Sequence, residues 1–388
     1  MQLSFLFYFM NYNWIFKRGV RIALRSKVNE SLITGVRLID SLLPVGRGQR
    51  QLILGDRSTG KTSIFLYTVL SSYYFNYISS VDGFGIKRLF SVYIGISLNL
   101  SKLSKLISSI VFNYYLLIIA SHSSSSALLN FLIPLIGISI CERLRDRGYD
   151  SIICFDDLSK HSKSYRQISL ILGKIPSRDA FPADIFNIHS SLLERCGKLS
   201  LYLGSLSGSI TAFPVIETIN SDITDYIATN IISITDGQFY MSKLLFINSI
   251  RPAIDSGLSV SRIGSSAQCK LMKIVSAGLK NELTNLRLSD LSVNTFEYFS
   301  LLSLNNIFYH NHLSVSSLSF TILLLLFYRN SLIIFSNVSL IYKLLILYCT
   351  DYLYLSYILF ISKHLYTNYL YSFLIAYATE LSISLSSR

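Results

Sequence analysis

One stretch of sequence decides the fold: Gln51-Leu52-Ile53-Leu54, an apolar run, continues directly into Gly55-Asp56-Arg57-Ser58-Thr59-Gly60-Lys61-Thr62. The second part fits the pattern G-x-x-x-x-G-K-[ST] of a phosphate-binding loop, which leaves a strand and opens a helix. Residues 63–70 are apolar enough to form that helix, packed on a sheet. The order of strand, loop and helix therefore predicts that the chain binds a nucleoside triphosphate at the N-terminus of this helix.

Each residue type in the loop has a physical reason. Gly55 and Gly60 allow the backbone to curl until successive N–H groups face the phosphates. Lys61 is expected to reach the outer phosphates, and the Thr62 hydroxyl is expected to ligate Mg²⁺. We assign the remaining residues of this segment to the same site, with Mg-ATP or Mg-ADP as the ligand: Asp56, Arg57, Ser58, Thr59 and Ser63.

An acidic site follows another apolar run. Residues 151–155 form a predicted strand, and Asp156 is the first carboxylate after it. A phosphate loop needs such an acid to hold Mg²⁺ and its water shell, so we predict that Asp156 acts with Thr62 at the metal. Asp157 is interpreted as a partner of the helix predicted from about Leu158. Alternatively, both acids serve only as caps of that helix.

The net charge of +13 is concentrated in one part of the chain. Residues 281–388 hold five acidic and five basic residues, so the whole excess lies in residues 1–280. That part is expected to face an anion, and charge alone does not choose between nucleotide, an acidic protein and nucleic acid. The five cysteines are far apart and form no C-x-x-C pair, which indicates neither a zinc site nor a disulfide framework.

The mean hydropathy of +0.45 raises the question of membrane insertion. The first ten residues are apolar, but they lack the basic region and the cleavage site of a signal peptide. Residues 320–328 are too few to span a bilayer, and polar residues interrupt residues 332–348. We expect no transmembrane helix, and we attribute the excess of Phe, Tyr, Leu and Ile to a genome rich in A and T, such as that of an organelle.

Apolar runs alternate with helical stretches from about residue 36 to residue 233. The predicted strands are residues 51–54, 90–96, 115–120, 151–155 and 209–215. This alternation predicts an α/β fold with a mainly parallel sheet and helices on both faces. Turn signals at Asp236-Gly237 and Arg251-Pro252 are interpreted as the close of the α/β part. No Pro follows Pro252 and no Gly follows Gly278, so the remainder is predicted to be helical.

Further motifs accompany the phosphate loop in a fixed order. They are RLIDSLLPVGRGQR (37–50), DDLSK (156–160), YRQ (165–167), HSSLLER (189–195), FPVIET (213–218), IISITDGQ (231–238) and GLSVSRIG (257–264). This series, over about residues 30–285, resembles the α subunits of the rotary ATP synthases. The resemblance implies a RecA-like P-loop domain followed by an α-helical C-terminal domain, in a peripheral subunit on the matrix side of the mitochondrial inner membrane.

The end of the second predicted strand of the α/β part distinguishes two related subunit types. Hydrolysis requires a carboxylate there to orient the attacking water. In that family β-type chains carry a glutamate and α-type chains usually a glutamine, whereas this chain has Leu98 within YIGISLN (93–99). The resemblance therefore implies an α-type subunit that binds nucleotide and turns it over poorly.

The resemblance also implies roles for residues outside the loop. In the family, the arginine of the GLSVSR motif, here Arg262, reaches across to the γ-phosphate held by a neighbouring β subunit. Such an arginine finger contributes on the order of 10³-fold or more in rate, because a guanidinium matches the charge on the phosphoryl oxygens. Arg251 and Pro252 resemble the segment beside the adenine. Ser58 stands where the family usually has glutamine.

The implied partners are β subunits in an alternating hexamer, the central-stalk γ subunit and peripheral-stalk subunits, without nucleic acid. We divide the chain into an N-terminal extension (1–30), a nucleotide-binding domain (31–270) and a helical domain (271–388). Family members carry a β-barrel crown domain, for which residues 1–30 are too few. Either another polypeptide supplies the crown, or the gene is split, or the head is built differently.

Two other functions compete with this interpretation. The nearest is a homohexameric RecA- or Rho-like ATPase motor. Leu98 in place of an acid argues against it, as does the lack of an N-terminal RNA-binding fold with stacking aromatics. The other is a degenerate scaffold that binds no nucleotide, against which stand the intact Lys61, Thr62 and Asp156.

Overall fold

The apolar runs predicted as strands lie in one sheet. The structure is a computed structural model that describes residues 14–81, 88–109, 115–200 and 207–288. All five predicted strands are present, each within two residues of its predicted ends. Within the described residues the strands are β1 (Ser31–Leu32), β2 (Val45–Gly46), β3 (Gln51–Gly55), β4 (Leu89–Leu98), β5 (Leu116–His122), β6 (Asp150–Asp156), β7 (Gly197–Lys198), β8 (Ser209–Glu217), β9 (Gly237–Met241) and β10 (Val260–Ser261).

The main sheet has the strand order β10-β9-β3-β8-β6-β4-β5. Neighbouring strands from β9 to β5 run parallel. The short strands β10 and β7 pair antiparallel with β9 and β8, and β1 pairs with β2 outside this sheet. The prediction of a mainly parallel sheet is therefore confirmed.

The interpretation of Asp236-Gly237 as the close of the α/β part is wrong. Gly237 begins β9, which lies in the main sheet between β10 and β3. A Cβ atom at Gly237 would collide with the Val260 carbonyl oxygen, so the glycine permits β10 to approach closely rather than marking a turn. The sequence signal was ambiguous, because a tight turn and a close approach between two strands both favour glycine.

Helices cover both faces of the sheet, as its parallel strands require. The long helix α2 (Lys61–Val81) follows the phosphate loop, as predicted. In chain order the α-helices of the described residues are α1 (Arg37–Leu42), α2, α3 (Leu100–Ser109), α4 (Ala127–Asp146), α5 (Leu158–Ile171), α6 (Ile185–Glu194), α7 (Tyr226–Ile234), α8 (Lys243–Ile247), α9 (Gly264–Ala267), α10 (Lys270–Ser276) and α11 (Leu279–Leu288).

Alternate residues of the central strands enter two separate hydrophobic clusters. Ile53 and Tyr93 point into one cluster together with Phe65 of α2. Their strand neighbours, such as Leu54 and Ile94, enter the other cluster, which holds apolar residues of α4, α5, α6 and α7. Because both faces are buried, the strands read as continuous apolar runs, which made them recognisable in the sequence.

A buried ion pair docks the N-terminal segment onto the sheet domain. The Arg195 guanidinium is fully buried and donates to both carboxylate oxygens of Glu142 at 2.8 Å. Its third contact is the carbonyl oxygen of Ile15, also at 2.8 Å. Removing one member of such a pair leaves an uncompensated buried charge, so the arrangement holds this segment in place.

The predicted helical domain is described only at its start. Met272 of α10 and Leu279 of α11 are buried in the same cluster as Ile53. The remaining part, residues 289–388, lies outside the described residues, as do the apolar stretches 320–328 and 332–348. The domain boundary at residue 270 stays a prediction.

One described helix, α4, is long and apolar enough to cross a bilayer by length and composition alone. Its buried residues include Ile133 and Ile138, which pack in the cluster containing Ile94 of β4. Asn130, Glu142 and Arg145 of the same helix are also buried. These contacts make α4 a core helix of the sheet domain.

Two buried histidines join α5 to α6. His161 Nδ1 lies 3.2 Å from His189 Nε2, and His161 Nε2 lies 3.3 Å from the carbonyl oxygen of Phe131 on α4. Burial lowers the pKa of His161 to about 4, only partly offset by the Phe131 carbonyl. Burial and the neighbouring His161 also hold the pKa of His189 well below its usual value. Both rings are therefore neutral in the folded protein.

We predict that this pair makes the fold sensitive to acid. Unfolded histidines titrate near pH 6.5, so between about pH 6.5 and pH 4 the unfolded chain binds more protons and stability falls as pH falls. At about 1.4 kcal/mol for each pKa unit, His161 alone is expected to contribute on the order of 3 kcal/mol over this window. Urea midpoints measured across the window should drop less in His161→Gln than in the wild type. His122→Gln, which changes an exposed histidine, is the control; an unchanged slope in His161→Gln would contradict the prediction.

Candidate functional site

The phosphate loop lies where four parallel strands end. Gly55 at the end of β3 pairs with Glu217 at the end of β8, and Gly95 of β4 pairs with Asp156 at the end of β6. Parallel strands present their carboxyl ends at one edge of the sheet, and ligands bind in the crevice outside that edge in open α/β sheets. The register therefore brings Asp156, predicted from the sequence as a metal residue, next to the loop.

Both glycines of the loop occupy positions that disfavour any other residue. Gly60 has a φ of +91°, which is favourable for glycine. A Cβ atom at Gly55 would lie 2.6 Å from Met241 Cβ, so only glycine fits between β3 and β9 there. Ser58 adopts a φ of +62° at the exposed tip of the loop.

Asp56 anchors the loop to the end of β8. Its carboxylate accepts hydrogen bonds from Thr218 Oγ1 at 2.7 Å, from the Ser221 backbone N–H at 2.9 Å and from Ser221 Oγ at 3.1 Å. Burial favours a higher pKa for Asp56, but these hydrogen bonds keep it below its usual value. The Asp56 side chain thus fixes the shape of the loop. Arg57, mostly exposed, contacts Glu217 at 3.2 Å from its Nε atom.

Lys61 lies inside the loop. Its ammonium donates to the carbonyl oxygens of Gly55 at 2.7 Å and Asp56 at 2.6 Å, and only 7% of the residue is exposed. Burial lowers its pKa, whereas the charges of Glu217, Asp157 and Asp156 act in the opposite direction. The Lys61 ammonium also lies at the N-terminus of α2, where positive charge and the helix dipole favour a phosphate anion.

Three donors converge on one oxygen of Asp156. Its Oδ2 atom accepts from Tyr93 OH at 2.5 Å, from Lys102 Nζ at 3.0 Å and from Thr62 Oγ1 at 3.2 Å. Burial alone raises the pKa of Asp156, but Lys102, Tyr93 and the charge of Lys160 outweigh it and lower the pKa below its usual value. Asp156 is therefore ionised at neutral pH.

The oxygen atoms at this edge fit Mg²⁺. Thr62 Oγ1 and the Asp156 carboxylate lie together beside the loop, and hydroxyl and carboxylate oxygens are the ligands that Mg²⁺ prefers. Asp157 instead caps α5, accepting from the Lys160 backbone N–H at 2.7 Å, as the sequence predicted. The two adjacent acids thus have different roles. Among the described residues no cluster of three or more His, Cys, Asp or Glu side chains forms another metal site.

The end of β4 carries no acidic side chain. Leu98 is 2% exposed and packs in the hydrophobic cluster with Ile53 and Tyr93. Its neighbours Ser97 and Asn99 are uncharged. At this position of the sheet, the described residues therefore lack the carboxylate that would orient a water molecule toward a phosphate.

Comparison with known proteins agrees with this geometry. The family model of the ATP synthase alpha/beta family, nucleotide-binding domain, matches residues 35–261. This chain belongs to that family. It is also similar to the mitochondrial ATP synthase subunit alpha of Dictyostelium citrinum, with 44% identity over 287 residues, which cover 73% of this chain and 52% of the relative. The chain thus spans about half the length of that relative.

In this member of the ATP synthase family, Arg251 and Pro252 lie near the carboxyl ends of the strands, as the phosphate loop does. The Arg251-Pro252 segment precedes Ala253, whose carbonyl oxygen accepts from the Ser242 backbone N–H just after β9. The Arg251 guanidinium lies 5.0 Å from the centre of the Phe246 ring. These contacts place the segment beyond the carboxyl end of β9, which pairs with β3.

Arg262 lies at the opposite edge of the sheet. Ser261 of β10 pairs with Gly237, and Gly237 pairs with Gln51 at the start of β3. Four residue steps separate Gln51 from Gly55, which corresponds to about 13 Å along the strand. The Arg262 side chain is exposed, and its backbone N–H bonds to the Asp236 carbonyl oxygen at 3.1 Å. The structure therefore does not bring Arg262 to the phosphate loop of its own chain.

Sequence reasoning missed three contacts at the site. Tyr93 and Lys102 were not assigned a role, because a tyrosine inside an apolar strand and a lysine in the first turn of a helix are common. Only the pairing of β4 with β6 brings them to Asp156. Thr218 lay within a recognised motif, but its hydrogen bond to Asp56 depends on the register of β3 with β8.

We predict that Lys61→Ala weakens ATP binding by at least about tenfold, because it removes a buried charge facing the phosphates. Combination with Asp156→Ala should abolish measurable binding. Isothermal titration of ATP into the full chain tests both variants. Lys163→Ala, at an exposed lysine of α5, is the matched control and should bind as the wild type does. Retained binding in the double variant would show that the nucleotide site lies elsewhere.

Proposed function

We propose that this chain is a non-catalytic, nucleotide-binding α subunit in the head of the mitochondrial proton-translocating ATP synthase. One observation carries the proposal: an intact phosphate loop beside Asp156 is combined with the buried Leu98 where hydrolysis needs a carboxylate. Such a site binds nucleotide without directing the binding energy into a transition state. Membership of the ATP synthase family and similarity to a mitochondrial α subunit support it.

In this proposal, different residues of the site bind the phosphates, the metal and the adenine. Lys61 and the backbone N–H groups of the loop hold the phosphates, and Thr62 with Asp156 holds Mg²⁺, Asp156 through water. Bound Mg²⁺ would neutralise charge on the phosphate oxygens. Arg251 and Pro252 lie beside the adenine. Because Leu98 presents no base, the nucleotide serves assembly or regulation rather than turnover.

Arg262 acts in trans in this proposal. It is exposed, follows an edge strand and lies about 13 Å along the sheet from its own loop, so a neighbouring subunit's nucleotide is the better partner. The proposed neighbours are catalytic β subunits alternating with this chain in a hexamer, with γ and peripheral-stalk subunits as further partners and no nucleic acid. The complex is placed at the matrix side of the mitochondrial inner membrane.

We predict that the purified chain binds ATP with negligible hydrolysis, because no carboxylate at Leu98 positions water. A coupled phosphate-release assay on the chain alone, with binding measured on the same sample, tests this. Robust hydrolysis would contradict the proposal and favour the homohexameric ATPase motor instead.

We predict that Arg262→Lys lowers ATP turnover of the assembled complex by on the order of 10³-fold, because an ammonium does not reproduce the planar fork of a guanidinium at the γ-phosphate. ATP binding by the variant chain itself should be unchanged. Steady-state hydrolysis of the purified complex, with subunit stoichiometry checked by native mass spectrometry, measures the effect.

Arg21→Lys, a conservative change at another exposed arginine, is the control for Arg262→Lys and should leave turnover unchanged. Loss of assembly in Arg262→Lys would assign this arginine a structural role. Full turnover in a correctly assembled Arg262→Lys complex would remove the trans-acting role from the proposal.

A further inference from the structure

Asp156 already has a cationic partner within the chain. Lys102, in the first turn of α3, places its ammonium 3.0 Å from Asp156 Oδ2, and the side chain of Asp156 is only 5% exposed. β4 leads directly into α3, and β4 pairs with β6, so the positions of both residues are set by the sheet. The fold therefore brings Lys102 and Asp156 into contact.

The Asp156 Oδ2 atom already accepts three hydrogen bonds, so a Mg²⁺ ion and its waters would have to displace the Lys102 ammonium or use the other carboxylate oxygen. A carboxylate oxygen offers two lone pairs, and Tyr93, Lys102 and Thr62 all donate to this one atom. The Thr62 contact is compatible with metal binding, because a hydroxyl that donates its proton still offers a lone pair. An ammonium offers no lone pair and carries a positive charge, so it opposes a divalent cation at the same oxygen.

Further positive charge surrounds this carboxylate. Lys160 Nζ donates to the Ser97 carbonyl oxygen at 3.1 Å, and its charge acts on Asp156. Lys61 and Lys102 are also close enough to influence each other. Asp157, the adjacent acid, accepts from the start of α5, and Glu217 is paired with Arg57. Phosphates entering this edge would meet three ammonium groups: Lys61, Lys102 and Lys160.

We propose that the Lys102 ammonium is a built-in counter-cation of Asp156 that competes with Mg²⁺, so that this site binds ATP with little dependence on divalent metal. The inference rests on the proposed nucleotide-binding function and adds a specificity-determining residue to it. Since 44% of the Lys102 side chain is exposed, the ammonium is able to turn from Asp156 toward an incoming phosphate. Lys102 thereby supplies part of the charge neutralisation that a metal supplies in other phosphate-loop proteins.

The test compares ATP binding by the full chain in excess EDTA and in excess MgCl₂, using isothermal titration. In the wild type the two dissociation constants should differ by less than about threefold, as expected where a half-exposed lysine already neutralises the carboxylate. In Lys102→Met, which keeps the apolar stem and removes the charge, the ratio should rise about tenfold, in line with one charged hydrogen bond. Lys102→Arg should resemble the wild type.

Two controls separate this effect from damage to the site. Lys105→Met changes an exposed lysine one turn further along α3 and should leave the ratio unchanged. Lys102→Gln offers a second neutral variant if Lys102→Met does not fold, with folding followed by circular dichroism. Electron paramagnetic resonance of Mn²⁺ added with ATP gives an independent measure: the wild-type complex should retain less Mn²⁺ than the Lys102→Met complex.

Two other results would contradict the proposal, and they can be told apart. If the wild type requires Mg²⁺ for ATP binding as strongly as Lys102→Met does, the counter-cation role is wrong, while the nucleotide-binding function stands. If the wild type binds ATP in neither EDTA nor MgCl₂, the proposed nucleotide-binding function fails, and this inference fails with it.

Discussion

Burial of both faces of the parallel sheet is the constraint on which the rest of this structure depends. Ile53 packs against one layer of helices, and its neighbours Leu52 and Leu54 pack against the other. At about 25 cal/mol for each Å² of apolar surface removed from water, such strands are held firmly in register. A slip of one residue in β3 would exchange its two faces and carry Gly55 away from β8 and β9. The position of the phosphate loop therefore follows from core packing.

Charges at the carboxyl edge of the sheet depend on one another. Lys61, Asp156 and Asp157 are each less than a tenth exposed, and an isolated charge with so little solvent would be costly. Hydrogen bonds from Tyr93, Lys102 and Thr62 keep Asp156 ionised, whereas burial and the nearby Glu217 raise the pKa of Asp157 to about 6. Neighbouring acids thus acquire different properties from their different partners. Asp156 provides a negative charge at the site, and Asp157 caps α5.

Opposite ends of the same short strands serve different purposes in the proposed function. The carboxyl end of β3 carries the nucleotide loop, whereas Arg262 lies beside the amino end, next to the Arg50–Asp236 ion pair, whose closest atoms are 2.7 Å apart. A rigid sheet between them keeps Arg262 away from its own loop and leaves it exposed for a neighbour. Nucleotide binding and the proposed action in trans can therefore change independently in variants of this chain.

The local sequence by itself determined the strand, loop and helix around Gly55–Thr62, the five predicted strands and the cap role of Asp157. These features depend on short-range patterns: apolar runs, glycine at turns and a carboxylate before a helix. The resemblance to ATP synthase α subunits, confirmed at the level of the family, rested on ordered motifs in the same way. Only the tertiary structure decided that Gly237 begins β9 and that Tyr93 and Lys102 reach Asp156. Those contacts join residues 54 to 63 positions apart, and their geometry is set by strand register and helix packing, which no local pattern encodes.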